Sequence, residues 1–373
     1  MVIPMQFIDL KTQSNRIEER VFSRFKTIMN HATYIMGPEV AELEKALAEF
    51  VGVEHALGVA SGTDALLIAL MALNIGAGDE VITTPFSFFS TAEVIVLLGA
   101  IPVFVDIDPM TYNIDVSLIE AAITKKTKAI MPVSLYGQCA DFDEINALAA
   151  RYALPVIEDA AQSFGATYQG KRSCGLTTIG CTSFFPSKPL GGYGDGGACF
   201  TNDLELATRM KEIRLHGQSQ RYLHTRLGIN GRLDTLQAAI LLEKLAIFPE
   251  EIALRQDVAD RYQALLPKAV RKPITKQGNT SVFAQYTVEV SGRDEVQHVL
   301  QQRGIPTAVH YPLGLHEQPI IKTMFPGRQL FPMTEHAAKH VMSLPMHPYL
   351  TLDDQKKVVD ALHEVLQSEQ VSA

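Results

Sequence analysis

The stretch "LPVIEDAA", residues 154–161, opens as an unbroken apolar run and ends in two neighbouring acids, Glu158 and Asp159. A strand that is apolar at every position is buried on both faces. That is the habit of parallel strands covered by helices, not of an antiparallel sheet with one wet face. Outward from this stretch the chain repeats the theme at "EVITT" (80–84), "IPVFVDI" (101–107), "KAIMPVSLYG" (128–137), "CTSFF" (181–185) and "ACFTN" (198–202). Helical stretches such as "TDALLIALMAL" (63–73) and "FDEINALAARYA" (142–153) separate most of them. The alternation predicts an α/β fold with a mostly parallel mixed sheet sandwiched by helices.

Near residue 233 the pattern changes. Leu233, Leu236, Ile240, Leu241 and Leu245 mark one face of a helix expected to stop before Pro249, with another helix starting near Glu250. "FAQYTVEV" (283–290), a helix at 293–303 and a last helix at 352–367 then suggest a smaller C-terminal α+β domain. The expected division is 1–240 and 241–373, with the seam somewhere in 232–270.

At 373 residues the chain is longer than one core usually serves. It is 47% hydrophobic and 20% charged, which is a globular balance. Its net charge of −8 argues against a nucleic-acid binder. The longest apolar run, Val94–Val105, contains Pro102 and is far short of the roughly 20 residues of a membrane span. Cys139, Cys174, Cys181 and Cys199 form no CxxC pair, and "MVIPMQFIDLKTQ" has no signal-peptide pattern. Together these predict a cytoplasmic protein with reduced thiols, without membrane or nucleic-acid partners.

In an open parallel sheet, ligands sit beyond the carboxyl ends of the strands. Glu158 and Asp159 stand at one such end, with Gln162 one turn on. Phe86 or Phe88 follows a second, and Lys188 in "SFFPSKPLGGYGDGG" (183–197) follows a third. In "VASGTDALLIA", Ser61, Gly62 and Thr63 open a helix whose free amides and dipole suit a phosphate. Taken singly, each part has a plain structural reading: a solvated loop lysine, an acid pair at a helix start, an N-cap, a core phenylalanine. Together they are the parts of a pyridoxal phosphate site. A lysine condenses with the aldehyde and then moves protons; an acid holds the pyridine nitrogen; a ring stacks on the cofactor. Small residues beside Lys188 leave room for that motion.

Two other motifs point elsewhere. Gly192, Gly194 and Gly197 satisfy GxGxxG, but the strand-like "ACFTN" follows instead of a helix, and no acid stands about 20 residues on. His310 and His316 in "VHYPLGLHE" lack metal-ligand spacing, so no metal is expected.

The set "SGTDAL", "VIEDAAQSFGA", "SFFPSKPLG", "GDGGA" and "GRLDTLQAAIL", with "YIMGPEVAELE" and "SLPMHPYL" toward the ends, resembles the DegT/StrS sugar-nucleotide aminotransferases. These are pyridoxal 5'-phosphate enzymes of fold type I, like aspartate aminotransferase. "VSLYGQCADFD", "PSKPLG", "FAQYTVEV" and "PTAVHYP" resemble those members that aminate C3 of a UDP-linked 2-acetamido-3-oxo-hexuronic acid.

The resemblance implies that Lys188 is the catalytic lysine, that Asp159 partners the pyridine nitrogen and that Gln162 approaches the ring hydroxyl. Phe88 would stack where relatives often carry tyrosine. Gly62, Thr63 and Ser183 would hold the phosphate. Asn230 would reach the phosphate of a neighbouring subunit, making the active unit a homodimer with a shared site. Arg232, His310 and Tyr311 are the candidates for the sugar, the arginine because its planar fork suits a carboxylate. Many relatives have histidine where this chain has Ser134, which unsettles the usual contact there.

"IRLHGQSQRYLHTRLGINGRL", residues 213–233, holds four arginines and no acid, which favours an anionic ligand over a solvated loop. The implied reaction is a two-stage transamination. L-glutamate gives its amine and leaves as 2-oxoglutarate, and the UDP-keto-sugar then receives the amine, with surface polysaccharide as the product's destination. The alternatives are amination at C4 of a 4-keto-6-deoxy sugar, a dehydratase on the same fold, which usually lacks the lysine, and a non-enzymatic regulator.

Overall fold

The computed structural model describes residues 5–327 and 330–372, the side chains of 368–372 excepted. Seven strands build the main sheet: β1 (His55–Val59), β2 (Glu80–Thr83), β3 (Ile101–Phe104), β4 (Thr127–Met131), β5 (Ile157–Asp159), β6 (Ile179–Ser183) and β7 (Gly197–Thr201). Ladders join β3-β2-β4 and β1-β7-β6-β5. Parallel bridges Ile130–Val156 and Val133–Asp159 connect the two sets, giving the order β3-β2-β4-β5-β6-β7-β1. Only β7 runs antiparallel to its neighbours. The sheet is therefore mixed and mostly parallel.

Each strand sends alternate side chains to opposite faces, and both faces are covered. Val81, Ile157, Cys181 and Cys199 pack under α3 (Gly62–Ala72), α4 (Ser90–Leu97) and α6 (Leu204–Arg214). On the other face Ala198 and Phe200 pack on α2 (Pro38–Val51), and Ile82 and Ile130 on α5 (Phe142–Arg151). The four cysteines are buried and unpaired; Cys181 and Cys199 lie opposite each other on β6 and β7.

Strand β1 was not apparent in the sequence, because Gly58 interrupts its short run. It is an edge strand, and its open backbone is satisfied from the side. Glu44 accepts from the Gly58 amide at 2.9 Å, and Arg214 donates to the Gly58 carbonyl at 2.7 Å. Arg214 and Glu44 also pair with each other at 2.5 Å. Covering an edge in this way removes a template for pairing with another chain.

The expected helix break at Pro249 does not occur. A single helix, α7 (Thr235–Leu265), runs straight through it. A proline inside a helix costs roughly 3 kcal/mol, and packing on both sides of Pro249 offsets that. Leu241 and Phe248 belong to the core around α2 and β7, while Val258, Ala259 and Tyr262 belong to a second core. The expected single face also splits. Leu233 precedes the helix, Leu236 is exposed, and Ile240 packs on Ile17 and Val21 of α1 (Leu10–His31). The expected seam at 240/241 therefore falls inside a helix that belongs to both cores. The second core is built on the antiparallel pair β8 (Tyr286–Glu289) and β9 (Val341–Leu344), covered by α8 (Arg293–Gln302) and α9 (Leu352–Ser372). Among the described residues no helix is long and apolar enough to cross a membrane, and no cluster of histidine, cysteine or acid is placed to hold a metal.

Candidate active site

A cavity of about 460 Å³ opens at the carboxyl ends of β1, β5 and β6. Gly62, Thr63, Phe88, Asp159, Gln162, Ser183, Lys188, His310 and Tyr311 all line it. Asn230 and Arg232 do not. The parallel order of six of the seven strands accounts for this convergence, because it points their carboxyl ends toward one rim.

Helix α3 begins at that rim. Ser61 caps it, its hydroxyl accepting from the Asp64 amide at 3.0 Å. The first amides of a helix have no carbonyl behind them, so those of Gly62 and Thr63 remain free for a ligand. A side chain at Gly62 would meet Ser183 Cβ at 2.6 Å, so only glycine lets the helix start and the end of β6 close into one cradle.

Lys188 sits in the turn after β6, its amide bonded to the Phe185 carbonyl at 2.8 Å. A Cβ at Gly191 would lie 2.3 Å from the Pro186 carbonyl oxygen, so that glycine lets the turn close on itself. Gly192 and Gly194 pack closely on the Gln237 side chain, and Gly197 opens β7, so the GxGxxG spacing serves a wrapped loop here.

Burial lowers the Lys188 amine below the ordinary lysine range, and the Asp159 charge draws it part of the way back. Asp159 responds in reverse. Burial raises its carboxyl, while the Thr91 hydroxyl at 2.8 Å, the Ala161 amide at 3.2 Å and the Lys188 ammonium pull it down. A buried acid and a half-buried lysine that feel each other inside one cavity are a functional signal.

Of the two candidate aromatics, Phe86 is fully buried against Tyr112 and Tyr311, whereas Phe88 is 57% exposed and faces the cavity. Gln162 is held at both ends of its amide: Oε1 accepts from the Tyr136 amide at 2.7 Å and Nε2 donates to the Tyr311 hydroxyl at 3.1 Å. Tyr136 takes φ 56°, and Gly137 beside it takes φ 116°, where a Cβ would meet the Phe283 amide nitrogen at 2.6 Å. Burial drives His310 down to about 4, helped by the Lys188 charge, and raises the Tyr311 phenol.

Asn230 is exposed and lies beside Leu215. Arg232 bridges Val59 just ahead of α3, and its Nε is buried without a hydrogen-bond partner among the described residues. The four arginines do not act as one anion patch. Arg214 is committed to Glu44 and Arg226 to Glu212 at 2.5 Å, while Arg221 lies over Tyr222. The acids that neutralise them come from outside the 213–233 window, so the window overstated the free charge. Ser134 is buried and donates to Glu158 Oε1 at 2.8 Å, away from the cavity. Asp195, Gln285 and Ser187 also line the cavity but were not singled out. Asp195 lies inside "GDGGA", whose glycines drew attention away from its acid, and nothing local marks the other two.

The family model described as the DegT/DnrJ/EryC1/StrS aminotransferase family matches residues 15–363. The chain belongs to this family. It is 58% identical to the UDP-2-acetamido-2-deoxy-3-oxo-D-glucuronate aminotransferase of Pseudomonas aeruginosa, over 96% of this chain and 99% of that protein. Among solved structures, a DegT DnrJ EryC1 StrS aminotransferase from Brucella abortus superposes with a TM-score of 0.93 at 45% identity, covering 97% of this chain and 99% of that one. NtdA from Bacillus subtilis, solved with bound cofactor PMP, gives 0.91 at 32%, covering 98% and 86%. The chain is thus an aminotransferase of fold type I. Its residues fit pyridoxal 5'-phosphate, the family's cofactor: a cradle that only glycine permits, a buried acid, a half-buried lysine and an exposed ring share one cavity.

Proposed function

We propose that this aminotransferase acts on C3 of a UDP-linked 2-acetamido-2-deoxy-3-oxo-hexuronic acid, with L-glutamate as amino donor and 2-oxoglutarate as by-product. The observation that carries the chemistry is the meeting of Lys188 and Asp159 in one cavity, each moved off its ordinary pKa by burial and drawn part of the way back by the other's charge. The name of the Pseudomonas relative supports the substrate.

Gly62, Thr63 and Ser183 would hold the cofactor's phosphate, Asp159 its ring nitrogen, and Gln162 and Phe88 its hydroxyl edge and face. Bound pyridoxal phosphate supplies an aldehyde that accepts the donor's nitrogen and a ring that withdraws electrons from the reacting carbon. Lys188 Nζ would take and return the proton at that carbon, and burial, which lowers its pKa, favours the basic form that this role needs. Asp159 would keep a proton on the ring nitrogen. Arg232, with its orphaned Nε, supports a carboxylate ligand. Its place outside this cavity, together with exposed Asn230, supports a site completed by a second copy of the chain. We place the enzyme in the cytoplasm as a homodimer, supplying amino sugars for surface polysaccharide.

An absorbance titration tests the reading. The purified protein should be yellow and should lose that band on adding L-glutamate, and a 3-oxo-uronic UDP-sugar should restore it. A nucleotide-linked 4-keto-6-deoxy sugar has no carboxylate for Arg232 and should restore it poorly. The reverse preference would move the reaction to C4. A colourless protein, even after incubation with pyridoxal phosphate, would remove Lys188 and Asp159 from catalysis.

A further inference from the structure

The turn after β2 buries a second hydroxyl in line with the one that bonds Asp159. Thr91, the second residue of α4, is fully buried and donates to Asp159 Oδ2 at 2.8 Å. Its hydroxyl oxygen lies 3.0 Å from Ser87 Oγ, four residues back, and Ser87 is buried as well. Ser87 and Asp159 line the cavity, whereas Thr91 does not. The three side chains therefore leave the cavity wall at Ser87, pass behind it at Thr91 and return to it at Asp159. Among the described residues the two hydroxyls have no further hydrogen-bond partner.

The carboxylate end sets the direction of both bonds. An ionised carboxylate only accepts, and a hydroxyl carries a single proton. The Thr91 proton is committed to Asp159, so the 3.0 Å contact uses the proton of Ser87. Accepting that proton polarises the Thr91 O–H and makes it a stronger donor. It also anchors the side chain, because a Thr91 rotamer turned away from Asp159 gives up both bonds.

We propose that Ser87 is a positioning residue for transamination, acting on Asp159 through Thr91: it aims and strengthens the Thr91 donor, and so helps decide how the carboxylate shares a proton with the cofactor's ring nitrogen. This rests on the place proposed above for Asp159. A carboxylate that loses part of a donated hydrogen bond becomes more basic. A proton shared with the ring nitrogen then moves toward the carboxylate oxygen, and the ring withdraws electrons less strongly. Residues 87–91 also carry Phe88, the ring that faces the cavity. One five-residue stretch would thus set both the face of the cofactor ring and the strength of the acid that partners its nitrogen.

Holoenzyme reconstituted with pyridoxal phosphate labelled with ¹⁵N in the ring reads that proton by NMR, because the nitrogen resonates at well separated positions with and without it. Thr91→Val should move the resonance toward the unprotonated position. Ser87→Ala, nearly isosteric, should move it the same way but less far, with kcat/KM down about threefold. In the Thr91→Val background, Ser87→Ala should move neither quantity further. An equal shift in both backgrounds would put Ser87 on the cofactor itself and overturn the relay. An unmoved resonance in Ser87→Ala would overturn it too, and a lowered urea midpoint beside it would make Ser87 a packing residue. Asp159→Asn separates the relay from its premise and should move the resonance furthest. If it does so while Ser87→Ala does not move the signal, the relay alone fails. If Asp159→Asn leaves the signal in place, Asp159 does not partner the ring nitrogen and both readings fall.

Discussion

Glu158 and Asp159 are consecutive, both buried and both at the end of β5, yet they have opposite fates. Strand alternation sends Glu158 to the face away from the cavity. There it collects Ser134 at 2.8 Å, Ser173 at 2.7 Å and the Cys174 amide at 2.7 Å, with Ser163 at 3.5 Å. Asp159 turns to the cavity and, among the described residues, receives only Thr91 and the Ala161 amide, at 2.8 and 3.2 Å. A carboxylate saturated by its own chain holds a fold together. One left with free lone pairs at a cavity wall, facing Lys188, is available to a ligand. Burial raises both carboxyls, so burial alone does not tell them apart. The count of donors does.

Asp159→Asn should break the functional half of that contrast. The amide cannot hold a proton on the ring nitrogen by charge, so kcat/KM should fall by about 10²-fold or more, while the urea midpoint hardly moves. A variant retaining full activity would sink the assignment of Asp159. Glu158→Gln should do the reverse. It keeps the shape but gives an amide N–H₂ to hydroxyls and an N–H arranged to donate, so unfolding free energy should drop by about 1–3 kcal/mol. Activity per folded molecule should stay within a few-fold; a collapse of kcat in a protein of unchanged stability would show the two carboxyls to be less distinct than their surroundings imply. Thr91→Val lies between these extremes. It removes the strongest protein hydrogen bond to Asp159 and should lower kcat/KM by roughly tenfold, the worth of one bond to a charged group. The pH at which the cofactor's absorbance changes should move with it, which a packing defect alone would not do.

The sheet and the Lys188–Asp159 pair were legible in the sequence because both rest on strong local signals, apolar runs and strand-end chemistry. Strand-end chemistry named Phe88 only together with Phe86, and the family resemblance singled out Phe88; the turn after β2, which buries one ring and bares the other, gives the physical reason. Arg214 and Arg226 looked free because their partners, Glu44 and Glu212, lie outside the arginine-rich window. Pro249 was misleading for a related reason. Local propensity says a helix should end there, and packing between two cores, invisible to any local window, keeps it going.

Acidification sharpens the contrast between charged and neutral burial. Glu158 and Asp159 have raised pKa values, so the native state holds protons more tightly than the unfolded chain, and their contribution to stability grows as pH falls. His310 and His347 act in the opposite sense. Burial depresses both to about 4, against roughly 6.5 in an unfolded chain. Between those values the unfolded chain binds protons that the native state refuses. The histidine contribution is therefore complete above about pH 6.5 and is lost as pH falls toward 4. His347 lies outside the active-site cavity and can be isolated by His347→Gln. The wild type's stability minus that of the variant, from urea midpoints at a series of pH values, should rise from pH 4 to about 6.5 and then level off. A flat difference would mean that His347 takes up its proton over the same pH range in the native and unfolded states. Asp9 would then balance burial and Arg255, whose charge opposes protonation of His347.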